Sequence, residues 1–239
     1  MNFQQGDLYH IFNQGNNRQK IFFTRDNYLF FLTKIKNHIL PHADIIAWCL
    51  MPNHFHLMIY VHTLETAVES SDGFTNSMHK NISSTALSST TNSEIPLDTF
   101  LMNSIHSGGA TSSRTPTSLH KNLNKEIGIL LASYTRAINI QQQRTGSLFR
   151  DKTQAKCLTT PQGITPAFFN TPFGTQINVR IDEKEYPQAC FNYIHQNPVK
   201  AQLAVRPEDW EFSSYPDYCG ARNGKLVNKK RATELGLTP

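Results

Sequence analysis

The 239-residue chain has no apolar run approaching the roughly 18 residues that a membrane-spanning helix needs, and Met1 to His10 has neither a basic start nor an apolar signal region. Its four cysteines, Cys49, Cys157, Cys190 and Cys219, lie far apart with no C-x-x-C spacing, so neither a zinc ribbon nor a compact disulfide framework is encoded. Four reduced thiols are the expectation. The H-E-x-x-H pattern of zinc hydrolases and any internal repeat are also missing. Apolar residues are scarce from about 62 to 125, where Ser, Thr, Asn, Gly and His dominate in stretches such as SSTALSSTTNSE and SGGATSSRTPTS. Such a segment buries too little apolar surface to offset its own ordering entropy. These absences predict a soluble cytoplasmic protein, with no membrane partner and an insertion in its middle.

The remaining sequence can build a core. Hydrophobic residues make up 38% and aromatics 10%, concentrated before residue 62 and after residue 127. Since domains typically run to about 100 to 200 residues, the chain is read as one domain over 1–220. That domain carries the low-complexity insertion at about 62–125, and a basic tail follows over 221–239. Twenty-three Lys and Arg against eighteen Asp and Glu give a net charge of +5, a mild bias towards polyanions.

Patterning places the elements. Residues 7–14 (DLYHIFNQ) read as a strand, followed by a Gly15-Asn16-Asn17 turn and an extended piece around Ile21 to Phe23. Tyr28, Phe31, Leu32, Ile35 and Ile39 recur at helical spacing behind a Thr24 or Asp26 cap until Pro41. The runs 44–51 (DIIAWCLM) and 54–61 (HFHLMIYV) read as an antiparallel hairpin about Pro52-Asn53. In the second strand, alternation puts His54, His56, Met58 and Tyr60 on one face and Phe55, Leu57, Ile59 and Val61 on the other. A short amphipathic piece at 97–105 is compatible with a helix. Ile127, Leu130, Leu131, Tyr134 and Ile138 mark a helix over 125–143. Ser147 to Leu158 reads as a basic extended segment and Thr159 to Val179 as a loop. Tyr186-Pro187 opens a last helix that Pro198 is expected to stop after Asn197.

Two imidazoles two residues apart on a strand project to the same side and can share one divalent cation. Tyr193 and Asn197 lie at i and i+4, one turn apart on one helix face. A carboxamide at 197 can supply a hard-oxygen ligand while the phenol at 193 meets a phosphate. Mixed imidazole and oxygen donors with open positions suit Mg2+ or Mn2+ acting as a Lewis acid. Taken singly, an H-x-H pair reads as structural and Tyr193 as a core aromatic. Tyr134 competes as nucleophile, though its apolar stripe makes it look like core. His195 points to another helix face and reads as surface. Trp210, Phe212 and Tyr215 either stack on bases or pack on the sheet, packing being the commoner use. Arg18, Lys20, Arg144, Arg150, Lys152, Lys156 and Lys200 are candidates for a phosphate track.

The segments MPNHFHLM, YIHQNPVKAQL and WEFSSY, with the opening YHIFNQGNNRQKIFF and GSLFRDKTQAK, resemble in order the marks of REP-associated tyrosine transposases, members of the single-tyrosine HUH transposases. The resemblance covers roughly residues 7–61 and 127–220. It implies an α+β fold, an antiparallel sheet with helices on one side in ferredoxin-like or RRM-like topology. It further implies a metal-binding pair in His54 and His56, a third ligand in Asn197 and a nucleophile in Tyr193. The implied activity is nicking and rejoining of single-stranded DNA beside REP-like hairpins through a 5'-phosphotyrosine, by a monomer or a homodimer whose tyrosine acts in its own chain or across to its partner. The rival readings are a domesticated, non-catalytic module binding hairpin DNA or RNA, and zinc-dependent hydrolysis of a small substrate.

Overall fold

In the computed structural model, residues 1–66, 121–159, 168–171, 174–177 and 185–239 are described. The body of the Ser/Thr-rich insertion and the expected helical piece at 97–105 lie outside them. In chain order the strands are β1 (Leu8–Gln14), β2 (Ala43–Met51), β3 (His54–Val61), β4 (Glu65–Thr66), β5 (Lys121–Asn122), β6 (Gln154–Cys157), β7 (Phe168–Thr171) and β8 (Gly174–Ile177). The helices are α1 (Arg25–His38), α2 (Leu123–Gln141), α3 (Tyr186–Lys200), α4 (Tyr215–Tyr218) and α5 (Lys229–Glu234).

Four strands form the central antiparallel sheet in the order β2-β3-β1-β6. With α1 joining β1 to β2 and α2 lying between β3 and β6, this is the β-α-β-β-α-β order of ferredoxin-like folds. The α+β expectation is met. Both crossover helices pack on one face of the sheet. Phe31 and Ile35 of α1 and Ile127, Leu130, Tyr134 and Ile138 of α2 join Phe55, Leu57, Ile59 and Val61 of β3 in one buried cluster. Burial of each such side chain contributes about 1.5–3 kcal/mol.

The opposite face is covered as well. Cys190, Phe191 and Ile194 of α3 pack on Ala47 and Cys49 of β2 and on Met58 of β3. Strand β2 is therefore buried on both sides, every residue but Asp44 being inaccessible. A bulge at Ile45–Ala47 shifts its register against β3, and the neighbours Ile46 and Ala47 both join the α3-side cluster.

Local signals explain the element ends. Thr24 caps α1, and Asn27 Oδ1 accepts from the backbone N–H groups of Phe23 and Thr24 at 3.0 and 3.1 Å. The two-residue turn Pro52-Asn53 is anchored from β1's side. Pro52 carbonyl accepts from the N–H groups of Ile21 and Phe22, and Asn53 carbonyl accepts from Gly15 N–H at 2.8 Å. The Ile21–Phe23 piece is thus tied to the turn rather than to a strand. Helix α3 runs through Pro198 to Lys200 instead of ending at Asn197. Proline there removes a single N–H in the final turn, while Ala201 N–H still reaches Asn197 carbonyl at 3.0 Å.

The C-terminal segment covers the exposed edge of β2. Ser213 bridges Cys49, Leu50 N–H donates to Phe212 carbonyl at 2.8 Å, and Asn228 N–H donates to Ile45 carbonyl at 2.8 Å. Phe212 stacks on Tyr28 at 3.7 Å and Trp210 Nε1 donates to Leu50 carbonyl. These aromatics pack on the sheet. None of the four cysteines forms a disulfide, and no helix among the described residues is long and apolar enough to cross a membrane.

His195, expected at the surface, is 1% exposed, wedged between Phe191, Tyr215 and Tyr218 with its Nε2 2.8 Å from Ser214 Oγ. Helix α3 is enclosed on that flank by the 210–218 segment, which the helical wheel alone does not reveal. Burial lowers the His195 pKa to about 3. The unfolded chain, with an ordinary histidine near 6.5, binds the extra proton first as pH falls, so stability is lost below about pH 6.5 and on down towards 3. Urea titrations between pH 7 and 4 should show His195→Gln losing less stability than wild type, the difference closing by up to about tenfold in the folding constant per pH unit. Parallel pH dependences would overturn the assignment. A Cβ at position 15 would sit 2.1 Å from Gln19 carbonyl oxygen, so Gly15→Ala should cost about 1–3 kcal/mol, seen as a lower urea midpoint.

Candidate functional site

The site grows out of the α3 side of β1 and β3. Antiparallel pairing sets Phe12 opposite His56, Gln14 opposite His54 and His10 opposite Met58. Strand β6 adds Gln154 beside Phe12 and Lys156 beside His10. His10 and His56 are diagonal neighbours on this face, within reach across a sheet. His10 Nε2 lies 2.9 Å from His56 Nδ1, and the rings stack with centroids 5.1 Å apart.

Helix α3 lays Tyr193 over the histidines. Its ring centroid is 5.3 Å from that of His56 and 6.2 Å from that of His10. Lys200 Nζ stands 5.4 Å from the phenol ring. One turn on, Asn197 is buried, its Nδ2 donating to Tyr193 carbonyl at 3.0 Å. The same carboxamide lies beside the His54 ring and the Tyr193 side chain, opposing the shift that burial imposes on each. His54, His56, Asn197 and Tyr193 thus meet within one chain.

The two histidines and Tyr193 open onto a cleft of ≈ 390 Å³, lined also by Phe12, Gln14 and, on its basic wall, Arg150 and Lys152. That wall is fixed to β1. Asn13 Nδ2 donates to Arg150 carbonyl and to Thr153 Oγ1, and Arg150 N–H donates to Gln14 carbonyl. Of the other basic candidates, Lys156 sits 6.0 Å from the Phe12 ring and Lys200 5.4 Å from the Tyr193 ring, neither among the residues that line the cleft. Arg144 instead braces the 143–148 loop, donating to Gln19 Oε1 and Ser147 carbonyl. Arg18 and Lys20 are exposed in the turn after β1 and do not line the cleft.

Burial sets the protonation states. His56 is pushed well below an ordinary histidine, by desolvation first and then by His10 and His54. His54 is lowered by burial, with the Asn197 carboxamide opposing. His10 falls to about 3 through burial and the nearby Lys156. All three rings are neutral at pH 7, the form an imidazole needs to ligate a cation. Tyr193 is raised above the usual phenol value by burial, Asn197 working the other way. At pH 7 it is a phenol.

The donor chemistry fits a divalent cation. His56 Nε2 is buried and without a hydrogen-bond partner, an orphan that costs free energy unless something fills its coordination. His54 Nδ1 is engaged by Asn53 Oδ1 at 2.6 Å, so its Nε2 is the nitrogen left to the site. Among the described residues no group of three or more His, Cys, Asp or Glu is arranged around a metal position. The protein's donors would be two imidazoles and a carboxamide, leaving positions for phosphate oxygens.

Tyr134, the competing nucleophile, is fully buried, and its hydroxyl donates to Ile21 carbonyl at 2.7 Å. Burial raises its pKa far above the phenol range. It is a core residue. The sequence reading missed His10, whose only signal was its position on the site face of the first strand, and the tie of Asn53 to His54.

No family model matches the chain, and no curated protein does. Among solved structures the chain is similar to that of a REP-associated tyrosine transposase bound to a REP hairpin, with 13% identity and a TM-score of 0.48, over 95% of this chain and 92% of that chain.

Proposed function

We propose that the chain is a metal-dependent enzyme that nicks and rejoins single-stranded DNA beside hairpins through a 5'-phosphotyrosine at Tyr193. The observation that carries this reading is a helix-borne tyrosine and two neutral imidazoles in one cleft with Arg150 and Lys152 on its wall, the Asn197 carboxamide standing beside His54 and Tyr193. The motifs that resemble the single-tyrosine HUH transposases supply the same residues.

His54, His56 and Asn197 would hold Mg2+ or Mn2+, which when bound supplies Lewis-acid polarisation of a phosphoryl oxygen. Arg150 and Lys152 bind the flanking phosphates and fix the strand's path. Asn197 orients the Tyr193 hydroxyl and favours its ionised form. Lys200, over the phenol face, adds a positive charge where negative charge develops. The tyrosine oxygen attacks phosphorus in line and releases its proton to solvent water. The bond from phosphorus to O3' breaks, and the departing oxygen takes up a proton to become a free 3'-hydroxyl. The phosphodiester is exchanged for a phosphotyrosine ester, so a 3'-hydroxyl can reverse the step without ATP.

With a labelled single-stranded hairpin and Mn2+, Tyr193→Phe should abolish the covalent adduct and leave hairpin binding within a few-fold of wild type. An adduct formed by that variant would refute the nucleophile. Tight hairpin binding by the wild type with no nicking would favour the non-catalytic module. The double replacement Arg150→Ala with Lys152→Ala should flatten the slope of log K against log salt by about 1.4, since each single-strand phosphate contact contributes about 0.7. An unchanged slope would remove these two side chains from the phosphate track.

A further inference from the structure

We propose that His10 is a positioning residue that holds His56 in the Nδ1–H tautomer and so aims an unprotonated Nε2 into the cleft. This rests on the metal reading above and adds a residue to it.

A contact of 2.9 Å between His10 Nε2 and His56 Nδ1 has room for one hydrogen. If His10 donates, His56 carries its proton at Nε2, where a buried N–H has no acceptor and no lone pair for a cation. If His56 donates, its Nε2 is a lone pair facing the site. The second arrangement leaves no stranded donor on His56 and moves the His10 proton to its Nδ1, which is not among the buried unpartnered atoms; it is also the one a ligand histidine needs.

The neighbouring ligand is held in the same way. His54 Nδ1 lies 2.6 Å from Asn53 Oδ1, and a carboxamide oxygen can only accept. Both imidazoles therefore have an Nδ1 partner and turn Nε2 inward, one held from the hairpin turn and the other from β1. A free histidine side chain prefers its hydrogen on Nε2, so the Nδ1–H form of His56 must be imposed by an acceptor. His10 is placed to impose it. It is 7% exposed and clamped between Phe12 at 4.8 Å and Tyr193 at 6.2 Å, ring centroid to centroid, so its own ring is not free to turn away.

Nitrogen-15 NMR of the full chain without metal reads the tautomer directly. The expected result is a His56 with pyrrole-type Nδ1 and pyridine-type Nε2. A wild-type His56 protonated at Nε2 would overturn the proposal without any variant being made. His10→Gln keeps an oxygen acceptor and should keep both the tautomer and Mn2+ affinity within a few-fold. His10→Phe keeps the ring but not the acceptor. It should move the His56 proton towards Nε2 and weaken Mn2+ binding by roughly 10- to 100-fold, the usual range for losing such a partner. His10→Phe with the wild-type tautomer and affinity would also overturn it. Wild type that binds no Mn2+ would refute the metal reading, while the NMR result would still decide the role of His10.

Discussion

The register of β3 between β1 and β2 is the constraint on which everything else depends. Its side chains alternate, so Phe55, Leu57, Ile59 and Val61 enter the core beneath α1 and α2 while His54 and His56 turn to the other side. A slip of one residue would put imidazoles in the core and a phenylalanine in the cleft. The apolar face is far too costly to expose, so the hydrophobic effect that folds the domain also aims the histidines. The site is in this sense a by-product of core packing, fixed with the precision of a strand rather than a loop.

The second layer supplies the other half. Helix α3 is fastened by Phe191 and Ile194 against β2 and by His195 against Ser214, and these contacts leave Tyr193 and Asn197 facing β1 and β3. Covering the histidines has a price in desolvation, visible in three neutral rings and a phenol harder to ionise than in water. The same desolvation strengthens any charge brought to the cleft later, because fewer waters compete for it.

Much of this was legible in the sequence because it is local. The periods of β2, β3, α1 and α2 are written in consecutive residues, and the His54–His56 and Tyr193–Asn197 pairs each lie on one element whose geometry fixes their facing. What escaped reading depends on pairing between distant segments. His10 acquires meaning only through a register joining strands 46 positions apart. His195 is buried only because the 210–218 segment folds over it, and Pro198 stays inside a helix whose remaining bonds suffice. Likewise, nothing in Trp210 to Ser214 announces that it closes the edge of β2. Residue type alone could not assign Arg144 and Arg150 their separate duties, one bracing a loop and the other lining the cleft.

Strands β4 and β5 consist of two residues each, and they pair Glu65 with Asn122 and Thr66 with Lys121. The chain therefore leaves the sheet and comes back at adjoining points, directly ahead of the N-cap of α2. That short ladder fixes the point at which the chain enters α2, and it does so away from the α3 side of the sheet, where the histidines stand.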